Sequence, residues 1–88
     1  MPHITIYTTA TCPYCRRAKE LLRKKHLAFT EIAVDGDPVA RREMSAKAGG
    51  RWTVPQIFFD NRHIGDCDEL HELERNGTLD ELLAGVPT

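Results

Sequence analysis

The stretch Thr11-Cys12-Pro13-Tyr14-Cys15-Arg16-Arg17 (TCPYCRR) holds two of the chain's three cysteines, three positions apart. A strand-like segment precedes it. In HITIYT, His3 to Thr8, Ile4 and Ile6 alternate with Thr5 and Tyr7, as in a half-buried strand. After the second cysteine the period changes. Ala18, Leu21 and Leu22 form one apolar stripe, and Arg17, Lys19, Glu20 and Arg23 to Lys25 lie mostly off it. That predicts an amphipathic helix from about Pro13 to His26. Thr11 or Cys12 falls near its N-cap, and Pro13 suits the first helical position.

The same alternation of periods continues outward. Ala28 to Val34 predicts a second strand and DGDP a turn. Asp37 and Pro38 then start a second helix, which Gly49 and Gly50 end. Gln56 to Asp60 reads as a third strand, turned by Asp60 and Asn61 into a brief fourth at Arg62 to Ile64. Asp66 to Asn76 carries Leu70 and Leu73 at helical spacing, with Gly77 as a stop and Leu79 to Ala84 as a last short helix. The order β-α-β-α-β-β-α predicts an α/β fold, a small mixed sheet covered by helices. Leu21, Leu22, Phe58, Leu70 and Leu73 are its expected core. The first strand ends just before CPYC, so the cysteines stand at the carboxyl edge of the sheet, where α/β folds usually bind ligands.

The whole chain narrows what this pair can do. Its 88 residues fit one small domain, and 41% hydrophobic with 28% charged residues says folded. Twelve basic against thirteen acidic residues leave a net charge of -1, which gives no sign of a nucleic acid partner. Neither a signal-peptide pattern nor a long apolar run is seen, so the expected compartment is the cytoplasm, without membrane association. In a reducing compartment a close cysteine pair is catalytic or metal-binding more often than structural.

A zinc site needs about four ligands, and such pairs usually come in twos. Here Cys67 stands alone, and His3, His26, His63 and His71 are scattered, so no metal is expected. Helix positions i and i+3 lie about 5 to 6 Å apart, which suits a disulfide. So small a ring restrains the unfolded chain little. A bond that forms easily and stabilises little suits redox cycling. Cys12, at the helix start with Arg16 and Arg17 nearby, is expected to have its thiolate stabilised and to attack. Cys15, one turn inside, is expected to be less exposed and to resolve the mixed disulfide. Tyr14 either offers a ring beside the substrate or is a surface aromatic.

Four patterns in order make the chain resemble a glutaredoxin of the dithiol class, especially the short bacterial glutaredoxin 3 type. They are CPYC at Cys12 to Cys15, TVPQIF at Thr53 to Phe58, HIG at His63 to Gly65, and CDEL at Cys67 to Leu70. The resemblance covers the whole chain, 1–88, as one domain. It implies a thioredoxin-like fold with a four-stranded mixed sheet, glutathione as reducing co-substrate, and a monomer. The implied partners are disulfide-containing or glutathionylated proteins, ribonucleotide reductase among the family's substrates. It implies that Pro55 is cis and packs beside CPYC, so that Thr53, Val54 and Pro55 wall a glutathione site. Val54 would then offer its backbone to a peptide-like ligand as if to an added strand. From composition and spacing alone, Pro55 reads as an ordinary strand-start proline.

For the rest of the ligand, Gly65 would permit close backbone approach. Asp68 would cap the third helix, and the amides of Cys67 and Asp68 would hold the γ-glutamyl carboxylate. Arg51 is the candidate for the glycyl carboxylate, or else a solvated loop charge. Cys67 itself is a modifiable thiol or plain packing. Trp52 shields the groove or supports the core. Two departures stand out. Thr9 occupies a place where relatives often carry lysine, and Asp66 stands where a second glycine is frequent. An acid there either repels a carboxylate or faces solvent. Three rival functions are weighed on the sequence: a redoxin reduced by a flavoprotein thioredoxin reductase, an iron–sulfur cluster carrier, and a redox-inert binding module, against which the two intact cysteines argue.

Overall fold

In a computed structural model, which describes residues 1–85, the β-branched run of the N-terminus forms β1 (Ile4–Thr8). It is an inner strand. β2 (Thr30–Ala33) pairs with it in parallel and β3 (Gln56–Phe59) antiparallel, and β4 (Arg62–Gly65) extends the sheet antiparallel to β3. Four helices accompany the sheet among the described residues: α1 (Pro13–Lys24), α2 (Pro38–Lys47), α3 (Cys67–Arg75) and α4 (Thr78–Leu83). This is the mixed sheet that the order of elements predicted, in the thioredoxin-like arrangement that the resemblance implied. No helix among the described residues is long and apolar enough to cross a membrane.

Alternation along the strands divides the core in two, because successive side chains point to opposite faces. Ile4, Ile6, Ile57 and Phe59 pack with Ala18, Leu22, Leu70 and Leu79 beneath α1, α3 and α4. On the other face Tyr7 and Phe58 pack with Met44 and Ala48 of α2 and its C-cap. The two rings meet edge to face, with centroids 5.6 Å apart. Ile6, Leu22 and Ile57 are fully enclosed, and each such side chain contributes about 1.5–3 kcal/mol. The inner position of β1 follows from this: only that strand and β3 carry apolar residues for both faces.

Two boundaries differ from the sequence expectation. α1 stops at Lys24, two residues before His26. His26 adopts a left-handed φ of 59°, and the amides of His26 and Leu27 donate to the carbonyls of Arg23 and Leu22. This is a Schellman ending with histidine in the place glycine usually takes, and buried Leu27 supplies its apolar contact. The apolar stripe carries no mark of such a stop. The second strand is also shorter than Ala28 to Val34. It lies at the sheet edge and is mostly exposed, so alternation overstates its length.

Candidate active site

The turn after β1 delivers Cys12 to the N-cap of α1, in an extended conformation. Its sulfur accepts a hydrogen bond from the Cys15 amide at 3.1 Å. A sulfur therefore does what a serine or aspartate oxygen usually does at this position. The first turn of α1 contains no acidic residue. The Cys12 thiol also donates to the Val54 carbonyl at 3.7 Å, which ties the CPYC turn to the proline loop 42 positions further on. Cys15 is 1% exposed. Burial, and then the hydrogen bond and charge of Cys12, push its thiol up to about 12, against a smaller opposing pull from the Thr9 backbone and Lys19. The two sulfurs are thus unlike, one part-exposed at a helix start and one enclosed beneath it.

Beside Cys12 runs a groove of about 260 Å³ lined by Tyr14, Thr53, Val54, Pro55, Asp66, Cys67 and Asp68. Six residues expected at a glutathione site are brought together in it. The Val54–Pro55 peptide bond is cis, as the resemblance implied. Tyr14 is half exposed at the lip, with the Arg17 guanidinium 5.9 Å from its ring centroid. Cys67 is 2% exposed, its sulfur 3.5 Å from His71 Nδ1. Burial raises its thiol, with Arg17 opposing. Trp52 is half exposed and supports no core.

Arg51 and Gly65 stand behind the groove. Arg51 Nη2 donates to Asp66 Oδ2 at 3.0 Å and Nη1 to Glu69 Oε1 at 2.6 Å. Glu69, with smaller help from Asp66, holds the guanidinium further up its range. Gly65 has a φ of 127°, and a Cβ there would stand 2.6 Å from Glu69 Oε1. The close approach that this glycine permits is by Glu69. The cap of α3 is Asp66, which corrects the expectation of Asp68. Asp66 Oδ1 accepts from the Glu69 amide at 2.9 Å, and Glu69 Oε1 accepts from the Asp66 amide at 3.1 Å. That is a capping box, legible in the sequence as Asp66-x-x-Glu69. Asp68 is the second helical residue, so its oxygen is too far along to cap. Asp66 is accordingly engaged on two sides and is not a loose acid facing solvent.

Three further residues hold the proline loop, and the sequence reading gave none of them a part. Gln56, fully buried, donates from Nε2 to the Thr53 carbonyl at 3.0 Å and to Thr53 Oγ1 at 3.3 Å. With the amide so oriented, its Oε1 accepts from His63 Nε2 at 2.6 Å. Burial, then the Arg51 charge, lower the pKa of His63 and favour the neutral ring. Arg41 of α2 donates twice to the Trp52 carbonyl, at 3.1 and 2.8 Å. A lone glutamine at the head of the apolar run QIFF was a usable signal, since a buried amide must find partners. Arg41 gave no such signal. Among the described residues no group of three or more His, Cys, Asp or Glu side chains is arranged to hold a metal.

Comparison with known proteins agrees with this geometry. The family profile described as Glutaredoxin matches residues 4–64. A glutaredoxin of Pseudomonas aeruginosa is 57% identical over 84 residues, spanning 96% of this chain and 99% of that protein. Glutaredoxin 3 of Escherichia coli K12 is 53% identical over 83 residues, spanning 94% and 99%. A buckwheat glutaredoxin solved as a glutathione complex superposes with a TM-score of 0.82, at 28% identity over 96% of this chain and 78% of that one.

Proposed function

The chain belongs to the glutaredoxin family, and on that premise we propose how its residues divide the work of a glutathione-dependent thiol–disulfide oxidoreductase. The activity runs through a cysteine dithiol, with glutathione as reducing co-substrate and disulfide-bearing or glutathionylated proteins as partners. The observation that carries the division is the inequality of the two sulfurs. Cys12 is reachable and holds an amide donor, while Cys15 is enclosed and strongly protonated.

The Cys12 thiolate attacks one sulfur of the substrate disulfide. A Cys12–substrate disulfide forms, the old bond breaks, and the other half leaves as a thiolate. Two of the influences that hold the Cys15 proton come from Cys12, its hydrogen bond and its charge. Both vanish once the Cys12 sulfur is bonded to substrate. Cys15 is therefore more readily deprotonated after the first step than before it, while its burial, the largest cause, remains. It displaces the substrate as a thiolate and leaves a Cys12–Cys15 disulfide. Two glutathione molecules then reduce that disulfide, the first forming a mixed disulfide on Cys12 and the second leaving as glutathione disulfide. On a glutathionylated protein the first step alone suffices, and Cys15 is dispensable.

Glutathione lies in the groove with its cysteine sulfur at Cys12, its backbone against Val54, and Thr53, Pro55 and Tyr14 around it. The capping box engages the amides of Asp66 and Glu69, not those of Cys67 and Asp68. The latter pair receives the γ-glutamyl carboxylate, helped by the helix dipole. Arg51 spends two of its five N–H groups on Asp66 and Glu69, and the glycyl carboxylate draws on the others. Gly65 contributes by leaving room for Glu69. The remaining parts of the reading are one glutaredoxin-like domain over 1–88, a monomer in the cytoplasm, and ribonucleotide reductase among the protein substrates. A coupled assay tests the whole. NADPH consumption with glutathione, glutathione reductase and a small glutathione mixed disulfide is expected to be rapid. Turnover only with thioredoxin reductase would overturn the reading.

A further inference from the structure

We propose that the groove between α1 and α3 is a second docking surface, which takes an acidic segment of a protein substrate flanking its disulfide. The proposal rests on the oxidoreductase reading above and adds the kind of protein that the chain selects. It begins from an asymmetry of charge. α1 and its C-cap hold Arg16, Arg17, Lys19, Arg23, Lys24 and Lys25, half of the chain's twelve cations, and only Glu20 of its thirteen acids. A nearly neutral chain thus carries a basic helix that starts at the reactive cysteine.

Ion pairing does not erase the asymmetry. Lys25 takes Glu74 and Asp80, at 2.9 and 2.7 Å, and Arg75 takes Glu72. The acids nearest the groove on α3 and α4 are engaged there. Arg17 and Lys24 form no ion pair among the described residues, and both are exposed. Between the helices lies a groove of about 630 Å³ with Leu21 among its lining residues and Arg17, Lys24, His71 and Arg75 at its sides. Glu20 and Glu74 also line it, and Glu74 is bound to Lys25.

The groove adjoins the active site. Arg17 lines it and stacks on Tyr14, which lines the glutathione groove. His71 lines it and touches Cys67, which again lines the glutathione groove. Two residue pairs therefore form the shared boundary. A polypeptide whose cysteine is joined to Cys12 can cross that boundary and continue between the helices. Arg17 and Lys24 are seven residues apart, about 10 Å along the helix, a span that roughly three extended residues cover. Leu21 gives such a segment an apolar contact between its acids.

The test uses glutathione mixed disulfides of two short peptides, one with aspartates or glutamates beside its cysteine and one with neutral residues, together with a small non-peptide mixed disulfide. Lys24→Glu is expected to raise KM for the acidic peptide about threefold to fivefold, and Glu20→Lys to lower it by a similar factor. Both effects should shrink as salt is added. Turnover of the neutral peptide and the small disulfide should stay at the wild-type value. Equal changes on all three substrates would overturn the proposal, because the charges would then be acting on the thiol or on glutathione. Unchanged KM on the acidic peptide would overturn it too. So would an oligonucleotide competing as well as a non-reactive acidic peptide. Wild-type protein inactive on the small disulfide would instead overturn the oxidoreductase reading itself.

Discussion

Two helices begin at the same edge of the sheet, and their first turns are opposites. α1 starts on Cys12 with a sulfur as its cap and no acid in the turn. α3 starts on Asp66 with a full capping box, and its first turn holds Asp68 and Glu69. Both ends present a positive dipole and orphan amides. At α3 the protein's own carboxylates use part of that potential, and they fasten Arg51 there. At α1 it is left for a sulfur that must carry negative charge. The reactive end is made as much by the acids it lacks as by the cysteine it holds.

The hardest way to break this comparison is to give α1 an ordinary cap. Cys12→Ser should abolish disulfide exchange on every substrate. Serine is a favoured N-cap, so folding stability should hold or rise by up to about 1 kcal/mol. Turnover and denaturant unfolding on the same protein check both halves, and residual exchange above background would remove Cys12 from its role. Cys15→Ser comes next. It should lose most reduction of protein disulfides and keep the route on glutathionylated substrates. The Cys15 thiol is raised from 9.0 to about 12 in the folded chain. The stability it lends is whole below pH 9 and lost as pH climbs through 12. Wild type should therefore lose stability across that interval, and the serine variant should lose less.

At the other helix the effects are smaller. Asp66→Gly removes the cap and one partner of Arg51. Glycine is tolerated at an N-cap and the ion pair is part-exposed, so the loss of stability should be about 1 kcal/mol. Removal of an acid from the groove should lower KM for glutathione, by no more than about fivefold. A higher KM would mean that Asp66 serves the site by holding Arg51. The smallest effect concerns His63. Its folded pKa lies below the ordinary 6.5, so the unfolded chain takes the proton first as pH falls. Stability should decline from about pH 6.5 down to the folded value and change no further on this account. His63→Asn keeps a donor for Gln56 and should flatten that decline in denaturant midpoints measured between pH 7.5 and 5.

The same contrast shows what the sequence disclosed. Residues that act through type and spacing were legible: Cys12 and Cys15 on a helix start, Pro13 at the first helical position, Ile4 and Ile6 on one strand face. The proline loop was legible through the resemblance carried by TVPQIF. Supports that depend on distant partners were harder to read. Arg41 meets the Trp52 carbonyl across a loop, and His63 reaches Thr53 only through Gln56. No local pattern encodes such meetings. The capping box is of another kind, since Asp66-x-x-Glu69 has the required spacing in the sequence itself, two positions before the expected cap at Asp68.

The room beside Gly65 bears on how this site can change by inheritance. A Cβ at position 65 would meet Glu69 at Cδ and Cβ as well as Oε1, between 2.6 and 2.9 Å. Glu69 in turn closes the box with Asp66 and holds Arg51. Four positions are thus joined by contact, and substitutions among them cannot be independent. A lineage that shortens Glu69 first removes the contacts at Oε1 and Cδ, but the Cβ of residue 69 at 2.9 Å and the positive φ still favour glycine at 65. A lineage that replaces Gly65 first meets the clash with Glu69 in place. The same two substitutions are therefore less obstructed in one order than in the other. Drift around this site should be path-dependent, with Glu69 as the position through which the others are reached.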